Sequence, residues 1–283
     1  MKRNNRKRLR SGIIAAFFVA ALTVTSLSLP AAAAAPDIPI SVAGRGTVHG
    51  ELIDSVTYIP LRRFCNIFGG ADIRWNDATK TATVTVSSRG LTLTVPQGST
   101  YIEANGRYFY CPTGVRNLNG SLYVPIRPLA KAYCLDLVWS DATRSVSLTE
   151  TGKRLVSGSS YYDADEVYWL SRIINAEAGS EPFMGKVAVG NVVLNRVASP
   201  QYPNTIYGVI FDRRYGTQFS PVSFGTIYNT PNAQSIIAAK ICLEGYTISD
   251  TILFFMNPRL STSNWIAQNR PFAFTIGKHD FYR

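Results

Sequence analysis

The stretch Leu170-Ser171-Arg172-Ile173-Ile174-Asn175-Ala176-Glu177-Ala178-Gly179-Ser180-Glu181-Pro182 sets the character of the second half of this chain. Val167, Leu170, Ile173 and Ile174 recur at the helical period behind Asp163 and Asp165, both suitable for a helix start. Gly179 closes that helix and Pro182 opens another, with the apolar stripe Val187, Gly190, Val193, Leu194 and Val197. Pro231 opens a third, passing through Ile236, Ile237, Lys240 and Ile241 to Gly245, and β-like runs follow at 252–256 and 272–276. Residues 161–283 therefore read as a compact, mainly helical domain.

Upstream the period falls from 3.6 to two. Residues 36–150 are short β runs bounded by Gly, Asn and Pro, and they contain a repeat. Tyr58-Ile59-Pro60-Leu61-Arg62, then Trp75-Asn76-Asp77-Ala78-Thr79-Lys80, is followed by Tyr123-Val124-Pro125-Ile126-Arg127, then Trp139-Ser140-Asp141-Ala142-Thr143-Arg144. In each copy a strand ends at the Pro, a short helix follows (61–68 and 126–133), and a Trp-bearing strand enters an Asp-Ala-Thr turn before an alternating strand (81–86 and 145–148). The Trp and Tyr residues are read most simply as core. Residues 151–160 have the polar Ser/Gly composition of a linker. The fold class is α+β, a repeat-containing α+β module followed by a mainly helical one.

The chain has 283 residues and a formal charge of +11, with 46% hydrophobic and 12% aromatic residues, so it carries enough apolar surface for folded domains. Six of the positive charges lie in the first ten residues and leave +5 elsewhere. Behind them come the apolar residues 13–22, Pro30 and Ala31 to Ala35, the layout of a secretory signal peptide over residues 1–35 with cleavage near Ala33 to Ala35. An uncleaved membrane anchor is the alternative, and it is the only expected membrane contact. Export removes nucleotide cofactors from reach, and the diffuse +5 suits an anionic wall better than nucleic acid. Cys65, Cys111, Cys134 and Cys242 are too scattered for a disulfide scaffold or a zinc site; Cys111 with Cys134 is a candidate disulfide, with free buried thiols the alternative.

The second half holds nine acids, and only Glu177 continues an apolar stripe, four residues after Ile173 and seven after Leu170. An inward carboxyl loses hydration and its pKa rises, and the negative end of its helix works in the same direction. Glu181, just before Pro182, belongs at the start of the next helix, where the dipole favours the anion. Glu177 is thus the proton donor and Glu181 the capping group; the bland reading of Glu177 is a helix-boundary acid bonded to backbone, Arg172 or Arg196. A glutamic acid with a raised pKa in a cleft is what glycosidic cleavage requires.

The segment 174–182, together with Gly185-Lys186-Val187 through Asn195-Arg196-Val197, Tyr202-Pro203-Asn204, Gln218-Phe219-Ser220, Pro231-Asn232-Ala233, Phe254-Phe255-Met256-Asn257-Pro258 and Ile276-Gly277-Lys278-His279, resembles the SleB-type spore-cortex-lytic cell wall hydrolase family over nearly all of residues 165–283. The resemblance implies a lysozyme-like fold that cleaves the N-acetylmuramic acid to N-acetylglucosamine bond of peptidoglycan, often as a lytic transglycosylase, with the catalytic glutamate at Glu177. Such an enzyme needs no cofactor, no metal and no second catalytic carboxylate. Hydrolysis with water activated by Asp212 or Glu181 is the alternative within the fold. Gln218, Phe219, Ser220, Tyr228 and Asn257, in loop-like stretches, are candidate glycan contacts, with Asn195 on the Asn191 helix face, and Tyr215 and Trp265 as further possibilities. The repeat half resembles the copper amine oxidase N-terminal-like module, a secreted stalk domain, and is expected to act as a spacer or wall-binding element. One histidine, His49, does not make a copper site.

His49 and His279 are too few for a zinc amidase. Cys242, between Ile241 and Leu243, reads as a buried thiol rather than a peptidase nucleophile, and His279 as a groove residue or a satisfied structural imidazole, with the latter preferred. No GxSxG elbow, P-loop or Rossmann fingerprint is present. A wall-binding protein that has lost activity stays open, because Ala176 and Ser180 stand where the resembled family often has Gly.

Overall fold

The computed structural model describes residues 36–283 apart from Tyr215 and Thr262. The expected signal peptide over residues 1–35 lies outside the described residues.

The first half is built from β1 (Asp37–Val42), β2 (Gly46–Ile53), β3 (Val56–Pro60), α1 (Leu61–Phe68), β4 (Ala71–Asn76), β5 (Thr81–Val86), β6 (Leu91–Pro96), β7 (Tyr101–Ala104) and β8 (Arg107–Tyr110). It continues through β9 (Arg116–Leu118), β10 (Ser121–Pro125), α2 (Ile126–Ala132), β11 (Leu135–Ser140) and β12 (Ser145–Glu150). Strands β4 to β8 form an antiparallel meander, and the others a seven-stranded sheet in the order β11-β12-β1-β2-β3-β10-β9. The only parallel pair among the described strands is β1 with β12, which closes the end of the module onto its beginning. Strand alternation is sharp in β5, whose Ala82, Val84 and Val86 are buried while the intervening threonines are partly exposed. One apolar cluster, from Ile38 to Leu148, joins both sheets and both helices.

The two repeats meet at β3 and β10, which pair antiparallel as Tyr58↔Pro125, Ile59↔Val124 and Pro60↔Tyr123. Ile59 faces its own repeat counterpart Val124, while Tyr58 faces the counterpart of Pro60 and Pro60 that of Tyr58, so a local two-fold axis passes between Ile59 and Val124.

The second half comprises α3 (Gly158–Tyr161), α4 (Ala164–Ala178), α5 (Phe183–Ala198), α6 (Ile206–Ile210), α7 (Ser220–Phe224), α8 (Ala233–Leu243) and α9 (Trp265–Asn269). A small sheet in the order β13-β15-β14 is formed by β13 (Phe254–Met256), β14 (Phe272–Ile276) and β15 (His279–Tyr282). Its core, from Leu170 to Phe281, is separate from the first and is made where α4, α5 and α8 pack on one another. Gly190 on α5 permits that approach: a Cβ there would lie 2.7 Å from Cys242 Sγ and 2.9 Å from Ile174 Cδ1. Gly190→Ala is expected to destabilise the chain by about 1–3 kcal/mol in urea unfolding, although alanine is the better helix former.

The halves are fastened together. Arg107 on β8 donates from Nε and Nη2 to Glu244 Oε1 and Oε2 at 2.7 and 2.6 Å, and Tyr162 Oη donates to Glu244 Oε1 at 2.7 Å. Tyr110 packs on Tyr246 with ring centroids 4.1 Å apart. The segment read as a polar linker runs into α3, where Gly158 N donates to Asn105 O at 2.8 Å and a Cβ at Gly158 would lie 2.4 Å from Gly106 O.

All four cysteines are thiols, so the candidate Cys111 to Cys134 disulfide is not formed. Cys111 is fully buried beneath β8, and burial pushes its thiol up. Cys242 is buried as expected, donates to Val187 O at 3.5 Å and has its pKa pushed up to about 12.

Candidate active site

Helix α4 begins where Asp163 Oδ1 accepts the backbone N–H groups of Asp165 and Glu166 at 2.8 and 3.0 Å, with both acids in the first turn, where the helix dipole favours them. Leu170, Ile173, Ile174 and Ala178 form its buried face, and Glu177 continues that face in the last turn, partly buried. Its carboxyl forms no hydrogen bond or ion pair among the described residues. Burial raises its pKa to about 7, opposed by the attraction of Arg196. The contribution expected from the negative helix end is offset, because a cation sits there. Lys186 Nζ, buried, donates to Ala178 O, Gly179 O and Glu181 O at 2.8, 2.7 and 2.9 Å.

The turn after Glu177 is held on a second side. Asn175 Oδ1 accepts from Asn232 N at 3.0 Å and from Ser235 Oγ at 3.3 Å, and Asn232 caps α8 through Ser235 N at 2.8 Å. Gly179 is required by close approach rather than by a left-handed backbone, since its φ is −56° and a Cβ there would lie 2.5 Å from Asn175 O.

Arg196, on α5, is the charged group that faces Glu177. It is buried, donates from Nε to Leu253 O at 2.8 Å, and lies over the rings of Tyr202, Phe219 and Phe254 at 5.1, 5.1 and 5.5 Å. Its Nη1 is buried with no partner. Burial lowers its pKa, with Tyr202, Glu177 and Asp212 opposing. A cation held against three rings is partly compensated for lost water by their π faces. Two of those rings, Tyr202 and Phe254, also line a cavity of about 810 Å³, whose walls include Asp212, Arg214, Gln218 and Trp265. Glu177 is not among its lining residues.

Of the sequence-predicted contacts, Gln218 and Trp265 line the cavity. Phe219 does not: it is buried beside Arg196 and N-terminal to α7, which Ser220 begins. Asn195 is turned away from any groove, donating from Nδ2 to Ser249 O and Ile252 O, both at 2.9 Å, so it fastens a loop. Asn257 likewise accepts Arg259 N at 3.0 Å in a turn. Tyr228 is exposed and belongs to another aromatic surface, with Trp169 and, beyond it, Tyr168 and Tyr207. Tyr215 lies outside the described residues. Neither Arg172 nor Arg196 hydrogen-bonds Glu177; Arg172 Nη1 instead donates to Tyr228 O and Asn229 O, both at 2.6 Å.

The two other candidate acids, Glu181 and Asp212, are engaged. Glu181 does not cap α5, which has no side-chain cap; it is buried, and its Oε2 accepts Lys278 N at 2.8 Å across the β14–β15 turn. That turn admits the carboxylate because Gly277, at φ +62°, has no Cβ, which would fall 2.1 Å from Glu181 Oε2. Asp212 accepts from Arg214 N, Nε and Nη2 at 3.0, 3.0 and 2.9 Å, and the Arg214 side chain holds its carboxyl below the usual range. His279, on β15, is buried edge-on to Phe255 at 5.4 Å, and its pKa is lowered by burial. Its Nδ1 is buried with no partner, so it is not the satisfied imidazole that was expected. Lys186 carries no motif in the sequence that marks it as a site residue, and Arg196 reads there only as a partner for Glu177. The one signal for either was a basic residue inside an apolar helix.

Residues 180–282 match the family model described as Cell Wall Hydrolase. The chain carries a cell wall hydrolase domain. Glu177 lies three residues before the matched span of that hydrolase domain. Residues 46–148 match the model described as Copper amine oxidase N-terminal domain, yet no three His, Cys, Asp or Glu side chains among the described residues are grouped to hold a metal ion. A spore cortex-lytic enzyme of Bacillus cereus is 38% identical over 120 residues, which are 42% of this chain and 45% of that protein. One of Bacillus subtilis is 37% identical over 120 residues, 42% of this chain and 38% of that protein. The chain thus spans less than half the length of these curated relatives. A solved structure described as the catalytic domain of the germination-specific lytic transglycosylase SleB from Bacillus anthracis is 36% identical, covering 46% of this chain and all of that one, with a TM-score of 0.40.

Proposed function

We propose that the hydrolase domain is a peptidoglycan-cleaving glycosidase acting as a lytic transglycosylase on the N-acetylmuramic acid to N-acetylglucosamine bond, with Glu177 as sole acid and base. The observation that carries this reading is the Glu177 carboxyl itself, dehydrated, without a hydrogen-bond donor, and raised to about 7. A group so placed still holds its proton in neutral solution and loses it readily once a base is needed. Glu177 protonates the leaving glycosidic oxygen as the bond to C1 breaks. The resulting carboxylate takes the proton of the C6 hydroxyl of muramic acid while that oxygen bonds to C1, giving a 1,6-anhydro ring and restoring the acid. No water is consumed and no cofactor is needed.

The hydrolytic alternative needs a second carboxylate free to activate water. Asp212 and Glu181 are both occupied by N–H donors, which makes each a poor base. The cavity beside Arg196, with Tyr202, Phe254 and Trp265 as stacking faces, would seat sugars next to the scissile bond. Wall or spore-cortex peptidoglycan as substrate, export through residues 1–35 and wall binding by the first half complete the proposal. Mass spectrometry of muropeptides released from purified wall and cortex is expected to show anhydro-muramic ends, lighter by one water than hydrolytic ends; abundant hydrolytic ends would defeat the transglycosylase assignment.

A further inference from the structure

The N-terminal module contains two clefts that are copies of each other. One, of about 240 Å³, is lined by Pro60, Arg62, Ile73, Trp75 and Ala82, and by residues 120–122 of the second repeat. The other, of about 260 Å³, is lined by Pro125, Arg127, Leu137, Trp139 and Val146, and by residues 55–57 of the first repeat. The offset from Pro60 to Pro125 and from Arg62 to Arg127 is the repeat offset, and so is that from Trp75 to Trp139. The strand each repeat lends to the other's cleft is likewise the equivalent one, as the reciprocal β3–β10 register requires. The local two-fold axis therefore generates two sites, not one site and one accident of packing.

In both clefts the indole is pinned: Trp75 Nε1 donates to Asp77 Oδ1 at 3.4 Å and Trp139 Nε1 to Asp141 Oδ1 at 2.7 Å. Trp75 nonetheless remains 46% exposed, so its ring is held in place without being covered. Arg62 and Arg127 are both exposed and form no hydrogen bond or ion pair among the described residues. A fixed indole face, a prolyl edge and an uncompensated guanidinium in a space the size of one sugar ring suit a pyranose that carries or adjoins a carboxylate. The C–H face of the sugar meets the negative π face, and the carboxylate meets the fork of the arginine.

We propose that the N-terminal module binds anionic wall glycan bivalently, through the Trp75/Arg62 and Trp139/Arg127 clefts. The identity of the ligand rests on the reading that the fused hydrolase domain acts on peptidoglycan; the existence of the paired clefts does not. Two weak sites on one rigid module gain from effective concentration, so losing one costs far more than half the binding.

The test is co-sedimentation of the full chain with purified insoluble peptidoglycan, in a Glu177→Gln background so that the wall stays intact. Trp75→Ala and Trp139→Ala are each expected to weaken binding roughly 10- to 100-fold, and the double variant to fall to the residual level of the hydrolase domain. Because Trp139 is partly buried, the exposed pair Arg62→Glu with Arg127→Glu serves as a second probe that leaves the core untouched, and it is expected to lose binding to the same degree. With Glu177 restored, none of these changes should alter cleavage of short soluble glycan fragments. The proposal is overturned if the charge-reversed pair and Trp75→Ala sediment like the parent, or if the parent does not sediment. It is also overturned if the tryptophans prove to support self-association in ultracentrifugation without wall binding. Cleft-dependent binding by a chain that cleaves nothing would uphold the clefts and defeat the catalytic reading, while intact cleavage with cleft-independent binding would do the reverse.

Discussion

At pH 8, Glu177→Gln is expected to resist urea better than the parent while losing roughly 10³-fold or more of its lytic activity. The two effects share a cause. Below the ordinary carboxyl value of 4.5 the acid is protonated in both folded and unfolded chains, and the parent and variant should be similar in stability. As pH rises from there to about 7, the unfolded chain sheds this proton and the folded one keeps it, so the parent loses stability with rising pH. Above about 7 the full penalty is present, with an upper bound of about 3 kcal/mol, reduced by the water that still reaches the side chain. Glutamine has no charge to bury and escapes the penalty. Activity of the parent should accordingly decline above about pH 7, where the donor is lost. A variant that is less stable than the parent at pH 8, or that still lyses cortex, would contradict this account.

Lys186→Met is expected to have the largest cost in stability, about 3 kcal/mol or more in urea unfolding, and to abolish lysis as well. Methionine fills much of the same space but donates nothing, leaving the carbonyls of Ala178, Gly179 and Glu181 short of their shared donor in a buried turn. Those carbonyls belong to the segment that joins Glu177 to α5, so the acid would lose its orientation along with the helix end. Urea unfolding and turbidity loss on purified cortex measure the two effects separately. Stability within about 0.5 kcal/mol of the parent would show that water replaces the ammonium at no cost, and that this lysine does not position the site.

The helices were legible because their signals are local. Asp163 caps α4, Pro182 sets the start of α5, and the apolar stripe through Leu170, Ile173 and Ile174 is the face the structure buries. The same stripe pointed to Glu177. The repeat was legible for a similar reason, since each Pro-initiated helix and Asp-Ala-Thr turn is specified within a few residues; α1 spans the expected 61–68 and β5 the expected 81–86.

What escaped the sequence depends on partners distant in the chain. Lys186 reads as one more solvated lysine until α5 is packed against the end of α4. Glu181 looked like a cap for α5, but the β14–β15 turn offers it a backbone N–H from Lys278, 97 residues away. Asn195 looked like a groove residue, yet the carbonyls of Ser249 and Ile252 claim it. Phe219 sits in a motif that reads as a loop, yet it is buried in the apolar core with its ring against the Arg196 cation. The two tryptophans were read as core because nothing in a single repeat shows that its cleft is completed by the other.

That one carboxyl of this protein keeps its proton to neutral pH can be measured by carbon NMR of the chain labelled at glutamate side-chain carboxyls. One resonance is expected to titrate near 7 in the parent and to be missing from Glu177→Gln, with the pH of half-titration matching the decline in lysis. A spectrum in which every glutamate titrates below about 5, in the usual range for exposed carboxyls, would contradict it.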